Sequence, residues 1–186
     1  ITKTTLLCGD TFLPVTFGGR ESVSIPAGEQ AVSDPVEGKF QAMQTVFVSF
    51  YLGEITQMRA AVGVRGPLSG GLFCVGDGTG VVNFDPAKYK AVEQYYFLTG
   101  VSLRTDGENR ALVCYGDSIT AQDYPDFLAL RCTEEGYSHT SVVRKGASGS
   151  RVLRQYDCIS YESYGLKGET RFPREVPNDG ADAVLI

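Results

Sequence analysis

Between residues 45 and 52 the chain alternates at period two, with Val46, Val48, Phe50 and Leu52 on one face and Phe47 and Tyr51 on the other. Apolar side chains on both faces predict a strand covered from both sides, hence a central one. Val23 and Ile25 alternate with Ser22 and Ser24 ahead of a Pro26-Ala27-Gly28 turn. Short runs follow at 61–64, 72–75, 81–84 and 95–98, divided by turn signals such as Gly76-Asp77-Gly78 and Asp85-Pro86. Many short strands separated by turns predict an all-β sandwich or jelly roll over residues 1–105.

The pattern changes after Thr105-Asp106-Gly107-Glu108-Asn109. Residues 111–115 (ALVCY) form a continuous apolar run, as in a buried parallel strand. From 121 to 135 the apolar positions Tyr124, Phe127, Leu128 and Cys132 take helical spacing. Pro125 suits a first turn and Gly136 a helix end. A second strand at 141–143 leads into a loop at 146–150, and 181–186 (ADAVLI) predicts a third buried strand. Residues 151–180 are expected to form a helix and an irregular arm. Strand, helix, strand, excursion, strand is the opening of an α/β domain with a parallel sheet, assigned to 110–186.

Composition narrows the partners. The 186 residues carry a formal charge of −5 with no Lys/Arg run, which argues against nucleic acid as a partner. A polysaccharide, a small ester or a neutral partner remains. No apolar run approaches the roughly 20 residues of a membrane span, so no membrane partner is expected. Of the five cysteines, Cys8, Cys74 and Cys114 sit in apolar runs, while Cys132 and Cys158 are widely spaced from them. Buried reduced thiols are the expected state. Without a Cys-x-x-Cys pair and with a single histidine, no metal site is expected. A reducing, cytoplasmic compartment is the expectation, or a secreted one if a signal peptide has been removed.

Gly116-Asp117-Ser118-Ile119-Thr120 stands where the ALVCY strand gives way to the predicted helix. Gly116 allows a tight turn, and Ser118 is presented at the carboxyl end of the strand, where ligands bind in open α/β sheets. A helix start beside it favours a developing anion. Capping of the helix by Asp117, Ser118 or Thr120 accounts for the same residues. The second loop, Lys145-Gly146-Ala147-Ser148-Gly149-Ser150, follows the next strand and should share that edge. The N–H groups of Ser118 and Gly149 could then converge on one oxyanion, although Gly149 also suits an ordinary turn.

GDSIT after an apolar strand, GASGSRVLR some thirty residues on, and then ADAVLI resemble the SGNH (GDSL-like) hydrolases over residues 111–154 and beyond. The resemblance implies a flavodoxin-like parallel-sheet hydrolase domain. It also implies Ser118 as the nucleophile, Gly149 as an oxyanion donor, and ester hydrolysis through an acyl-enzyme without a metal or organic cofactor. By the same analogy the substrate is a small acyl group, acetyl above all, on a carbohydrate. LPVTFGGRESVSIPAGEQAVSDPV and YYFLTGVSL are similar to the β-sandwich, and to its junction, that precede the hydrolase domain in some bacterial members.

The family's asparagine donor and its Asp-x-x-His base have no match in this chain. The resemblance therefore implies that the domain is truncated here and that both lie beyond Ile186. His139 comes before the glycine loop, an order that argues against it as the base. Asn178 and Asp179 read as a turn. Arg151 and Arg154 are candidate substrate contacts or solvated arginines. The rival reading is a non-catalytic carbohydrate- or protein-binding module with an incomplete hydrolase domain, in which exposed tyrosines among Tyr51, Tyr89, Tyr95 and Tyr96 form a sugar platform.

Overall fold

The computed structural model describes residues 1–56, 61–63, 65–155, 166–176 and 180–186. Cys158, Asn178, Asp179 and most of the expected irregular arm lie outside the described residues. The architecture is mixed α/β, with strands predominating. The chain packs as two units, one of Ile1–Gln57 and Leu72–Ala91, the other of Met58–Gly71 and Val92–Ile186. The second unit thus reaches back into the 1–105 stretch instead of starting near residue 110.

In the first unit, β1 (Lys3–Cys8) and β2 (Thr11–Val15) form a hairpin across Gly9-Asp10, with Cys8 opposite Thr11. A two-residue connection of this kind needs positive φ, and Gly9 supplies it at 58°. β3 (Val46–Tyr51) pairs antiparallel with the other side of β1, giving the order β2-β1-β3. The central strand of this sheet is therefore β1, not the 45–52 segment. The second face of β3 is only partly covered: Phe47 packs on Phe84, and Phe84 edge-on against Tyr89, each pair with ring centroids 5.1 Å apart, while Phe47 stays 38% exposed.

Leu6, Cys8 and Val15 form the buried core of this unit, and Val36 and Phe40 pack against it. Val36 and Phe40 come from a stretch, 21–45, without regular strands. The alternation at Val23 and Ile25 is thus not a strand, although the expected turn closes with the Glu29 N–H on the Pro26 carbonyl at 3.1 Å. The 81–84 run is likewise irregular. The remaining short runs give β4 (Val62–Gly63), β5 (Gly71–Phe73) and β7 (Gln94–Tyr95), and with β6 (Lys90–Val92), which was not expected, they form the ribbons β4–β7 and β5–β6.

The second unit is built on β8 (Arg110–Gly116), α1 (Tyr124–Glu134), β9 (Thr140–Gly146), α2 (Gly168–Glu175) and β10 (Ala183–Leu185). Its sheet runs β10-β8-β9 with both pairings parallel. β8 is central, and Val113 and Cys114 are 0% exposed, as the continuous apolar run predicts. Alternation sends Val113 and Tyr115 to one face, where they meet Val143, Val176 and Val184. Cys114 and its register partner Arg144 point to the other face, toward α1. The sheet is thus covered by a helix on each face.

Two expectations for this unit need correction. Phe127 does not join the buried stripe of α1 and is 55% exposed, because the helix turns Pro125 and Asp126 inward instead. β10 pairs as expected but is not a buried strand, with Leu185 44% exposed. As the outer strand of the described sheet it has a neighbour on one side only. Its register is set by Asp182, which accepts from the Ala111 N–H at 2.7 Å and returns its own N–H to the Ala111 carbonyl at 2.9 Å.

The two loops at the carboxyl edge fit closely. A Cβ on Gly146 would collide with the backbone of Thr120 and Ala121, and one on Gly116 with the Thr120 side chain. The Ala147 N–H also donates to the Gly116 carbonyl at 3.0 Å. Gly146→Ala should therefore destabilise the protein by about 1–3 kcal/mol, the usual cost of forcing an extra carbon into packed backbone. Urea unfolding followed by circular dichroism measures this, and an unchanged midpoint would contradict the close approach.

Candidate active site

In the parallel β8–β9 pair Gly116 stands opposite Gly146, so the loops that follow leave the same edge of the sheet. Ser118 belongs to the first and Gly149 to the second. Ser118 does not stand at a helix start: residues 118–121 form a turn, and α1 begins only at Tyr124. The turn is closed by Asp117, whose Oδ1 accepts from the Ile119 N–H at 2.9 Å and whose carbonyl accepts from the Ala121 N–H at 3.1 Å. None of Asp117, Ser118 and Thr120 therefore caps the helix, whose N-cap is Asp123; Asp117 closes the preceding turn instead. Gln122 donates to the Ser118 carbonyl at 3.3 Å. Among the described residues the Ser118 hydroxyl has no hydrogen-bond partner, and neither the Ser118 nor the Gly149 N–H donates to a protein acceptor.

Gly149 has φ 76°, a left-handed conformation that a side chain would strain. Ser118, Gln122 and Ser148 line one cleft of about 200 Å³. Ser150 is engaged elsewhere: its hydroxyl donates to the Leu166 carbonyl at 2.7 Å and accepts from Arg171 at 3.0 Å. The cleft therefore has two serines with different surroundings, an exposed Ser118 and a half-buried Ser148.

What fixes this edge is Arg171, which is 3% exposed. Its guanidinium donates to the Gly116 carbonyl (3.1 Å), the Lys145 carbonyl (2.8 Å), the Ser150 hydroxyl (3.0 Å) and both Glu175 oxygens (3.2 and 2.8 Å). A guanidinium has five N–H donors, so each has an acceptor here. The group also lies over the Tyr115 ring, 4.9 Å from its centroid. Tyr115 in turn donates its hydroxyl to the Gly168 carbonyl at 2.7 Å and meets Phe172 edge-on. One cation thus joins the ends of β8 and β9, the glycine loop and α2. Sequence patterning missed it, since a charged residue normally reads as surface. The only signal was the i,i+4 spacing of Arg171 and Glu175.

Other candidates are not at this edge. His139 is exposed and precedes β9, where its carbonyl accepts from the Arg110 N–H at 2.9 Å. It marks the amino end of the strands, and a seven-residue strand puts that end about 20 Å from the carboxyl edge. Arg151 and Arg154 are exposed and do not line the cleft. Tyr51, Tyr89, Tyr95 and Tyr96 are all half-buried, so none is an exposed platform. Cys8 and Cys114 are buried as expected, whereas Cys74 and Cys132 are only half-buried, and all four are free thiols. Among the described residues no helix is long and apolar enough to cross a membrane. The chain matches no protein-family model and no curated protein.

Two outcomes follow from this geometry. Arg171→Met should cost about 3–5 kcal/mol in unfolding experiments, because it leaves Glu175 and three further acceptors without their buried donor. Arg171→Lys should recover only part of this, since an ammonium lacks the planar fork. Burial pushes the Cys114 thiol above its ordinary 9.0, and burial likewise raises the Tyr115 and Tyr124 hydroxyls above 10.0. The unfolded chain loses these protons first, so stability should be unaffected by them below pH 9 and fall as pH rises past 9 and then 10. Thermal melts between pH 7 and 11 test this, and a flat profile would contradict it.

Proposed function

We propose that this protein is a serine-dependent hydrolase of carboxylic esters of the SGNH (GDSL-like) type. On this reading residues 110–186 belong to a flavodoxin-like hydrolase domain, and the preceding strands to a β-sandwich accessory domain. The observation that carries the reading is the pairing of the Gly116–Thr120 turn with the 147–150 loop at one carboxyl edge of a parallel sheet. There an unengaged serine hydroxyl opens on a cleft. Ser118 attacks the acyl carbon, and the N–H groups of Ser118 and Gly149 stabilise the oxyanion. The alcohol leaves, and water then releases the acid. A base is needed to take the Ser118 proton, and His139 at the opposite end of the strands does not supply it. The substrate is a small acyl ester, acetyl above all, of a carbohydrate.

A fluorophosphonate probe should label Ser118 in the natural full-length polypeptide and leave Ser148 and Ser150 unmodified. Ser118→Ala should abolish labelling and lower ester turnover on the order of 10³-fold or more. Labelling that survives Ser118→Ala would remove the assignment. A protein that neither labels nor hydrolyses esters would instead favour the binding-module reading.

A further inference from the structure

The cleft at Ser118 has a second wall that does not come from the β8–α1–β9 framework. It is made by Gly63 and Arg65 on one side of the β4–β7 ribbon and by Glu93 and Gln94 on the other. In sequence this ribbon looks like part of the front domain, yet it packs with the second unit. The reason is Asp126, the inward-facing residue of α1. Its carboxylate accepts from the Leu68 N–H at 2.8 Å and the Ser69 hydroxyl at 3.2 Å, and it pairs with Arg144, whose side chain is 9% exposed. Gly66 lies against the same carboxylate so closely that a side chain would collide. Tyr95 completes the attachment by accepting from the Gly70 N–H at 3.3 Å. The ribbon is therefore anchored to the helix that follows the Ser118 turn, within three residues of Arg65.

The chemistry of this wall is distinctive. Arg65 and Glu93 form an ion pair at 2.8 Å, with both side chains about two-thirds exposed. An exposed pair contributes little to stability, so folding does not account for its place at the cleft. It does set a charged donor beside a charged acceptor, with the Gln94 and Gln122 amides also on the lining. Gly63 and Ala121 keep the cleft wide, and among the described residues no aromatic or large aliphatic side chain lines it. A long acyl chain would find little apolar side-chain surface among these residues. A polyhydroxylated alcohol would find donors and acceptors matched to adjacent hydroxyl groups.

We infer that the β4–β7 ribbon is the leaving-group subsite, with Arg65 and Glu93 binding vicinal hydroxyls of a sugar-like alcohol. This inference rests on the ester-hydrolase reading and assigns its substrate selectivity to residues outside the nucleophile and glycine loops. The test compares the full-length protein with Arg65→Ala, Glu93→Gln and the double variant. One substrate is a mono-O-acetylated methyl pyranoside with its other hydroxyls free. The other is an aryl acetate, whose leaving group carries no further hydroxyl. The readout is the ratio of kcat/KM for the sugar ester to that for the aryl ester, which a general loss of folded protein does not move. Each single variant should lower this ratio about tenfold, as expected for one lost charge-assisted hydrogen bond. A ratio that stays constant or rises overturns the subsite while leaving Ser118 chemistry intact. Wild-type protein that hydrolyses neither ester overturns the hydrolase reading and the subsite together.

Discussion

A buried guanidinium holds the candidate site in shape. The carboxyl ends of parallel strands present backbone carbonyls that the sheet itself no longer pairs, and the chain must leave that edge in loops. Arg171 satisfies the carbonyls of Gly116 and Lys145 at once and reaches the loop beyond through Ser150. Removing a cation from water is costly, and the acceptors at every N–H, together with the Tyr115 ring, offset that cost. The arrangement is specific because the fork has fixed geometry: both strand ends must lie where they do for all five bonds to form. Positioning of Ser118 relative to Gly149 is therefore a consequence of where α2 docks, although α2 contributes nothing to the cleft lining.

The parts of this fold that were legible in sequence are those in which burial is apolar and continuous. The ALVCY strand, the Pro125 helix start, the second strand and the two glycine-rich turns could be read because apolar periodicity and turn chemistry agree there. The first hairpin was not read, because neither KTTLLC nor TFLPV alternates and only Gly9, at φ 58°, marks the turn between them. The central position expected of β3 failed because an apolar residue on a strand's second face can meet an aromatic side chain from a distant loop, and stay partly exposed, instead of lying under another layer. Phe47 against Phe84 is that case.

The site was legible only in its backbone parts. Glycines and a turn serine announce themselves by type and spacing, so Ser118 and Gly149 could be named. The ionic residues that fix them could not. Arg171 and Asp126 are buried and Arg144 is half-buried, but their burial depends on partners far along the chain, and a pattern that equates charge with surface assigns them to solvent. The same blindness hid the ribbon: nothing local to Arg65 reveals that Leu68 and Ser69 are tied to a carboxylate 58 and 57 residues away.

The order β10-β8-β9 also bears on how the protein comes into being. β8 and β9 can meet soon after both are made, since a single helix joins them. The other side of β8 is claimed by residues far downstream, and the Ala111–Asp182 bond closes a separation of 71 residues. Loop-closure entropy makes such a contact late, and non-local pairing slows folding. During synthesis β8, which carries the fully buried Val113 and Cys114, must therefore emerge from the ribosome and wait, one edge unpaired, until β10 arrives. That interval exposes a template for strand addition by other chains. The rate at which residues 147–185 are translated thus becomes a determinant of yield, independent of the stability of the finished fold.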